Sequence, residues 1–532
     1  MKHIIQLLLL AVFLCLASVS LATNGETVAV PRFEIKGFQV EGNTLIAKEE
    51  IDSILSPFIG PSKDFGNVQE ALERLEEVYR SRGFLMVAVA VPEQEMANGV
   101  IRFTVVETRI RNIAIEGNRF FDRENILGSL PALQPGKSPN IHDVSKSLKM
   151  ANENPAKKID LRLINVDIAE EMNAAVTVRD EKPWKVGLSL DNTGDKETGR
   201  TRMGVMMQHA NVGNRDHLLT LQYITSPENL RNVNIYSAGY RIPLYSLGSS
   251  IELIGAYANV NSGTVNVASA NMNISGKGTI LGVHYNQNLA RIGNYEHKLT
   301  FGLDYRAYQN DVQYFGVPLG NNVTVHPLSL TYAGSWSFED VRPGFYLMGI
   351  QNLPGLWDGR DDRDNFTSNR YGAPSAYNML RYGANALYAI GGDWQARAAL
   401  NGQYSSAPLV AGEQFGVGGA SSVRGFRERE FTNDHGYFGN IELYSPDLCK
   451  LMGVSAFQTR VLAFYDRGYV RRNKPLPGET VSSEIASLGP GLRITDGKIF
   501  SLSADCGFAV DPLPTNITRW SMSCHLAASI MY

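Results

Sequence analysis

Along most of this chain, apolar and polar residues alternate with a period of two. From Pro183-Trp184 onward, alternating segments of roughly 10–13 residues follow one another, each bounded by turn-forming residues. Clear cases are 185–191, 217–225, 233–242, 251–259, 298–305, 395–404, 459–465 and 500–508. Some connections are short and rich in Gly, Asn and Asp (213–216, 292–295, 391–393, 495–497), whereas others are long and polar (near 263–277, 356–372, 407–436, 471–484). A large soluble β protein would also alternate. Short turns on one rim and long loops on the other instead predict an outer-membrane barrel, because about 10 tilted residues cross a bilayer. The segments add up to about 16 strands over 183–532, an even number that leaves both barrel ends on one side of the membrane.

Before residue 182 the pattern changes. Phe33-Glu-Ile-Lys-Gly-Phe-Gln-Val-Glu-Gly-Asn43 returns as Ile110-Arg-Asn-Ile-Ala-Ile-Glu-Gly-Asn118, each an alternating run closed by the same turn signal. In the first copy Val68, Leu72, Leu75, Val78 and Tyr79 lie on one face of a helix that ends at Arg82-Gly83. Alternating runs at 85–91 and 100–106 follow. In the second copy Val144, Leu148 and Ala151 mark the helix, with strands near 159–166 and 174–179. Each copy reads β-α-α-β-β over about 75 residues, enough for a small sheet covered by helices. The chain therefore divides into an α+β module at 33–108, a second at 109–181 and the barrel at 183–532.

The amino end precedes all of these. Lys2 and His3, the apolar run from Ile4 to Leu16 and the small residues Ser20 and Ala22 form a cleavable export signal over 1–22, followed by a short segment at 23–32. No later stretch of 18 or more apolar residues offers a membrane helix. The net charge of -3 argues against a nucleic-acid partner. Three cysteines remain after the signal, too few for a disulfide scaffold. Cys506 and Cys524 lie symmetrically about Thr515 in a hairpin, where they either bridge or sit as two small unpaired residues.

Two further motifs accompany the Glu-Gly-Asn repeats. Ser422-Val-Arg-Gly-Phe426 lies at the tip of the longest loop (407–436), after Gly416-Val-Gly-Gly-Ala420, and Phe464-Tyr-Asp-Arg-Gly468 lies on a strand further on. An arginine on a loop folded into the lumen, facing an inward aspartate, can pair in the bidentate geometry that lysine lacks. In this order and on this architecture, the motifs resemble the Omp85 superfamily, with its paired POTRA modules, arginine loop and F-x-D-x-G strand. Tyr79-Arg-Ser-Arg-Gly-Phe-Leu85 through Val91-Pro-Glu-Gln94, Asn154-Pro155, Lys182-Pro-Trp184 and Asp191-Asn192-x-Gly194 are similar to the TpsB transporters of two-partner secretion, the ShlB/FhaC/HecB-type hemolysin secretion/activation family.

The resemblance implies a mainly β protein: two periplasmic α+β POTRA domains ahead of a 16-stranded antiparallel barrel in the outer membrane. It implies a loop-to-wall contact between Arg424 and Asp466, with Gly425 permitting the tight tip, Phe426 packing on the lumen wall and Gly468 leaving space beside the loop. An extended exoprotein of hemolysin or adhesin type (a TpsA-like partner) would dock on an exposed strand edge of the first POTRA, at Leu85, Val87, Val89 and Val91, beside the helix face 68–79. On that helix, Leu72 and Leu75 also read simply as core. Further expected partners are outer-membrane lipids and the barrel-assembly machinery. Neither a phosphate-binding loop nor an Asp-rich metal loop occurs, so no cofactor or metal is expected and partner folding outside the cell would drive export. Family members often carry a plug helix before the first POTRA. The ten residues at 23–32, ahead of Phe33, are too few for one, which leaves resting closure to the long loop. The last residue is Tyr532 where the family commonly has Phe. Two other readings compete: an insertase of the same superfamily, which usually has more POTRA domains, and an outer-membrane hydrolase, for which Asp434-His435 is the suggestive pair.

Overall fold

The computed structural model describes residues 31–532 apart from 96, 197, 232, 260–262, 268–269, 275–276, 310–312, 315–316, 319–321, 455 and 515. The expected signal at 1–22 and most of the segment after it lie outside the described residues. The chain divides into two compact units, 1–108 and 109–532.

In the first unit the run expected as one strand from Phe33 splits into β1 (Phe33–Ile35) and β2 (Gly37–Glu41). Lys36, between them, donates its backbone N–H to the carbonyl of Gly99. Helix α1 (Lys48–Leu55), β3 (Gly60–Lys63), helix α2 (Phe65–Ser81), β4 (Val87–Ala90) and β5 (Val100–Glu107) follow. Strand β1 pairs with β3, a small ladder that periodicity did not announce, while the main sheet runs β2-β5-β4. Helix α2 starts with a capping box between Asp64 and Asn67. It buries Val68, Ala71, Leu75 and Tyr79 against Ile35, Ile101, Phe103 and Val105, with Leu72 and Val78 partly covered. This face is the module's core.

The second module repeats the plan: β6 (Arg109–Glu116), α3 (Arg123–Gly128), α4 (Ile141–Asn152), β7 (Lys157–Asn165) and β8 (Glu171–Asp180), in sheet order β6-β8-β7. The reason for the repeated Glu-Gly-Asn is local. Gly42 (φ +82) and Gly117 (φ +87) lie against the carbonyls of Val105 and Val178, where a Cβ would come within 2.3 and 2.4 Å. The asparagine amides then close equivalent turns onto the carbonyls of Ile46 (2.7 Å) and Phe121 (2.8 Å). Glu107 and Asp180, at the far ends of the sheets, accept backbone N–H groups from the same turns.

The barrel is closed and has 16 antiparallel strands, from β9 (Trp184–Asp191) to the final strand Met522–Met531, which pairs with β9. Tyr532 exchanges backbone hydrogen bonds with Val186. One strand is interrupted at His326, between Val323–Val325 and Pro327–Trp336, where proline removes a ladder donor. Strand Gln458–Arg471 shows why the wall suits a membrane. Leu462, Phe464, Asp466 and Val470 are buried inside, while Val461 and Tyr465 lie exposed outside. Outward Leu188, Leu221, Leu281, Phe301, Leu347 and Ile441 continue the apolar band. Cys506 and Cys524 face each other in register on the last two strands and are disulfide-bonded.

The second POTRA module is bolted to the barrel's short turns by buried polar groups. The Lys157 ammonium pairs with Asp216 and donates to Asn125 Oδ1 (2.8 Å). Asp216 also accepts from Asn125 Nδ2 (2.9 Å) and the Tyr245 hydroxyl. The Lys157 and Asp216 side chains are 0% and 2% exposed. Burial pushes the Lys157 ammonium below the usual lysine range, opposed by Asp216. Asn154 donates to the carbonyl of Ala210 (2.8 Å), Glu153 pairs with Arg241, and Lys149 pairs with Glu296 (2.9 Å).

A loop held inside the barrel as the candidate functional site

The long loop leaves strand Trp394–Ser405, turns at Ala411–Glu413, forms a short hairpin (Phe415–Val417 with Phe431–Asn433) and rejoins the wall at His435. Its glycine-rich tip needs left-handed backbone at Gly418, Gly419 and Gly425 (φ +106, +103 and +89). The tip reaches into the lumen, where Arg424 is 3% exposed.

Arg424 Nε donates to Asp466 Oδ2 and Nη2 to Asp466 Oδ1, both at 2.7 Å, and the Arg424 backbone N–H donates to Oδ2 (3.0 Å). The remaining nitrogen, Nη1, lies 2.8 Å from Glu442 and 3.7 Å from Asp505. The guanidinium carbon sits 3.6 Å from the centroid of the Phe464 ring. Two wall arginines complete the cluster: Arg397 pairs with Glu442 (2.9 Å), and Arg493 grips Asp505 with two bonds of 2.8 Å. Three guanidiniums thus face three carboxylates, which spares the site an uncompensated buried charge. Asn440 donates to Asp466 (2.8 Å) and to the loop carbonyl of Ser422 (2.6 Å).

The glycines set how closely loop and wall approach. A Cβ on Gly425 would lie 2.7 Å from the Gly507 carbonyl oxygen, and one on Gly468 would lie 2.8 Å from Val423. Phe426 is buried near Val470, Ile485 and Ala509 of the wall. All five residues of the expected loop contact (Arg424, Gly425, Phe426, Asp466 and Gly468) are therefore gathered in one place. Glu442, Asp505, Arg397, Arg493 and Gly507 join them without having been singled out, because no local motif marks any of them as facing the lumen. Phe464 did carry a signal, lying two residues before Asp466 and so on the same face.

The loop's two ends are clamped together as well. The Asp434 carboxylate accepts the backbone N–H groups of Leu409 (2.7 Å) and Asn473 (2.6 Å) and two bonds from Arg370 (2.6 and 2.7 Å). Asp434 is thus engaged away from its neighbour His435, whose Nδ1 is buried without a hydrogen-bond partner among the described residues. The hydrolase reading loses its suggestive pair.

In the first POTRA, Val87 and Val89 lie on β4, an edge strand of the main sheet, but Leu85 and Val91 do not. They are 51% and 43% exposed. Leu85 follows the turn at Gly83 (φ +91), and Val91 precedes Pro92, which ends the strand. The backbone N–H of Val89 is already taken by the Glu76 carboxylate of α2 (3.0 Å).

A closed transmembrane barrel, two preceding POTRA modules and an arginine loop seated on a lumen aspartate define an outer-membrane transporter of the Omp85 type. A family model described as "Haemolysin secretion/activation protein ShlB/FhaC/HecB" matches residues 171–494, and one for the ShlB-type POTRA domain matches 33–108. The chain belongs to this haemolysin secretion/activation family, and its POTRA domains lie in the periplasm. It is 22% identical over 504 residues to the heme/hemopexin transporter protein HuxB of Haemophilus influenzae, covering 92% of this chain and 85% of that one. It is 22% identical to the outer membrane transporter CdiB of Escherichia coli, over 88% of this chain and 78% of that one. The solved structure of CdiB from Escherichia coli superposes with a TM-score of 0.73 at 19% identity, covering 97% of this chain and 92% of that chain.

Proposed function

We propose that this transporter captures one secreted exoprotein of the hemolysin or adhesin type in the periplasm and passes it, extended, through the barrel without nucleotide hydrolysis. The Arg424–Asp466 contact holds the long loop across the lumen at rest. The edge of β4, bordered by α2, receives the partner by strand addition. There Glu76 holds the Val89 N–H until the arriving backbone replaces it. Partner folding outside the cell draws the chain through. The observation that supports this reading is the position of the loop: its charged tip is paired with inward-facing wall groups, on the path that a substrate would follow.

Arg424→Ala tests it. Removing the cation leaves Asp466 buried and uncompensated, a penalty on the order of 3–5 kcal/mol for the seated loop. The expected outcome is a barrel that inserts and shows normal heat-modifiable migration, with secretion of the partner strongly impaired and altered conductance in planar bilayers. Unchanged export would overturn the role of this contact.

A further inference from the structure

We propose that Glu413 is a second anchor of the long loop, on a different sector of the wall, and that the pore stays shut only while both anchors hold. The proposal rests on the reading of Arg424 given above. Glu413 lies on the descending limb of the loop and is 0% exposed. Its carboxylate accepts from Arg306 Nη1 (2.9 and 3.3 Å) and from the Tyr308 hydroxyl (2.7 Å), and Arg381 Nη2 lies 3.7 Å away. Its backbone carbonyl accepts from Gln403 (2.9 Å), which in turn accepts from Arg381 Nε (2.8 Å). Arg306 is held from behind by Asp304 (2.7 Å).

The two anchors grip different parts of the ring. Arg306 and Tyr308 are on the seventh barrel strand and Arg381 on the tenth, whereas Asp466 is on the thirteenth and Asp505 on the fifteenth. Ten residues lie between Glu413 and Arg424 in sequence, so this piece of chain is strung from one sector of the lumen wall to another. Losing either contact frees one end of this piece of chain, and losing both frees the whole limb. The backbone ladder of the wall involves neither side chain, so loosening them frees the loop without opening the barrel.

The test uses the full-length protein in planar bilayers. Glu413→Gln keeps the volume and the hydroxyl contact but removes the charge between two guanidiniums. It is expected to raise the fraction of time in the open state about tenfold, the scale of one charge-assisted contact. The double variant E413Q/R424A is expected to exceed the product of the two single effects. If Arg424→Ala opens the pore while Glu413→Gln behaves as wild type, the second anchor is wrong and the Arg424 reading stands. If neither opens the pore, both fail. A double variant no more open than Arg424→Ala alone also overturns the two-anchor scheme. If Glu413→Gln does not reach the folded, heat-modifiable form, Arg306→Gln breaks the same contact from the wall side and carries the same expectations.

Discussion

Two buried cations in the larger unit are held in opposite ways. Among the described residues Lys157 forms one ion pair, with Asp216, and both side chains are sealed beneath the second POTRA, with the Phe121 ring 5.1 Å from the ammonium. Arg424 has three carboxylates around it, two of them shared with other arginines. An ammonium that leaves a single sealed partner strands a charge at once. A guanidinium that leaves Asp466 can stay paired with its neighbours through part of its path, because it is planar, weakly hydrated and many-toothed. The first arrangement suits a permanent joint and the second a contact that must break and re-form.

The largest expected effect is on the joint. Lys157→Met leaves Asp216 buried without its cation, at a cost on the order of 3–5 kcal/mol. Limited proteolysis of the detergent-solubilised protein should then release the module at 109–181 far faster than in wild type. Adding Asp216→Asn should recover part of the protection, since no charge is then left stranded. A single variant as resistant as wild type would break the comparison.

A smaller effect sharpens it from the other side. Arg424→Lys keeps the charge but loses the bidentate grip and the simultaneous reach to Glu442, roughly 1.5–3 kcal/mol for the lost charged hydrogen bonds. Channel opening and secretion should fall between wild type and Arg424→Ala. A lysine variant indistinguishable from wild type would mean that charge alone matters in the lumen.

The smallest effect concerns Asp122, which caps α3 and accepts from Asn214 of a barrel turn (2.7 Å). The Asn214 amide and the Asn125 N–H hold its carboxyl below the usual carboxylate range. Its contribution is therefore fully present above the ordinary carboxylate pKa of about 4 and is lost as pH falls through the lower folded value. Hydrogen exchange at the Asn125 amide should speed up in that acidic window relative to the Asp122→Asn variant. Identical pH profiles would show the cap to be idle.

The wall was readable because alternation with period two and the contrast of short turns and long loops are properties of single segments. The repeat was readable for the same reason, as Gly42 and Gly117 must meet the same backbone constraint. The Arg424–Asp466 contact was reachable only through motif resemblance. Its neighbours were not, because Glu442, Asp505 and Glu413 are single charges in segments that would look the same in a soluble sheet. Lys157 hides as one of two adjacent lysines on a strand, and nothing local tells which one is buried. The reach of β4 was overestimated because alternation continues through Leu85 and Val91, past the positions where backbone pairing stops.

Gly507 has no charge and no polar side chain, yet it limits how near the loop can come. A Cβ there would lie 2.6 Å from the Arg424 carbonyl carbon and the Gly425 nitrogen. Alanine at this position would act as a doorstop: it keeps every ion of the cluster while forcing the bolt out of its slot. A channel propped open by one methyl group would separate the shape of the closure from its electrostatics, and would give a way to hold the transporter in its conducting form.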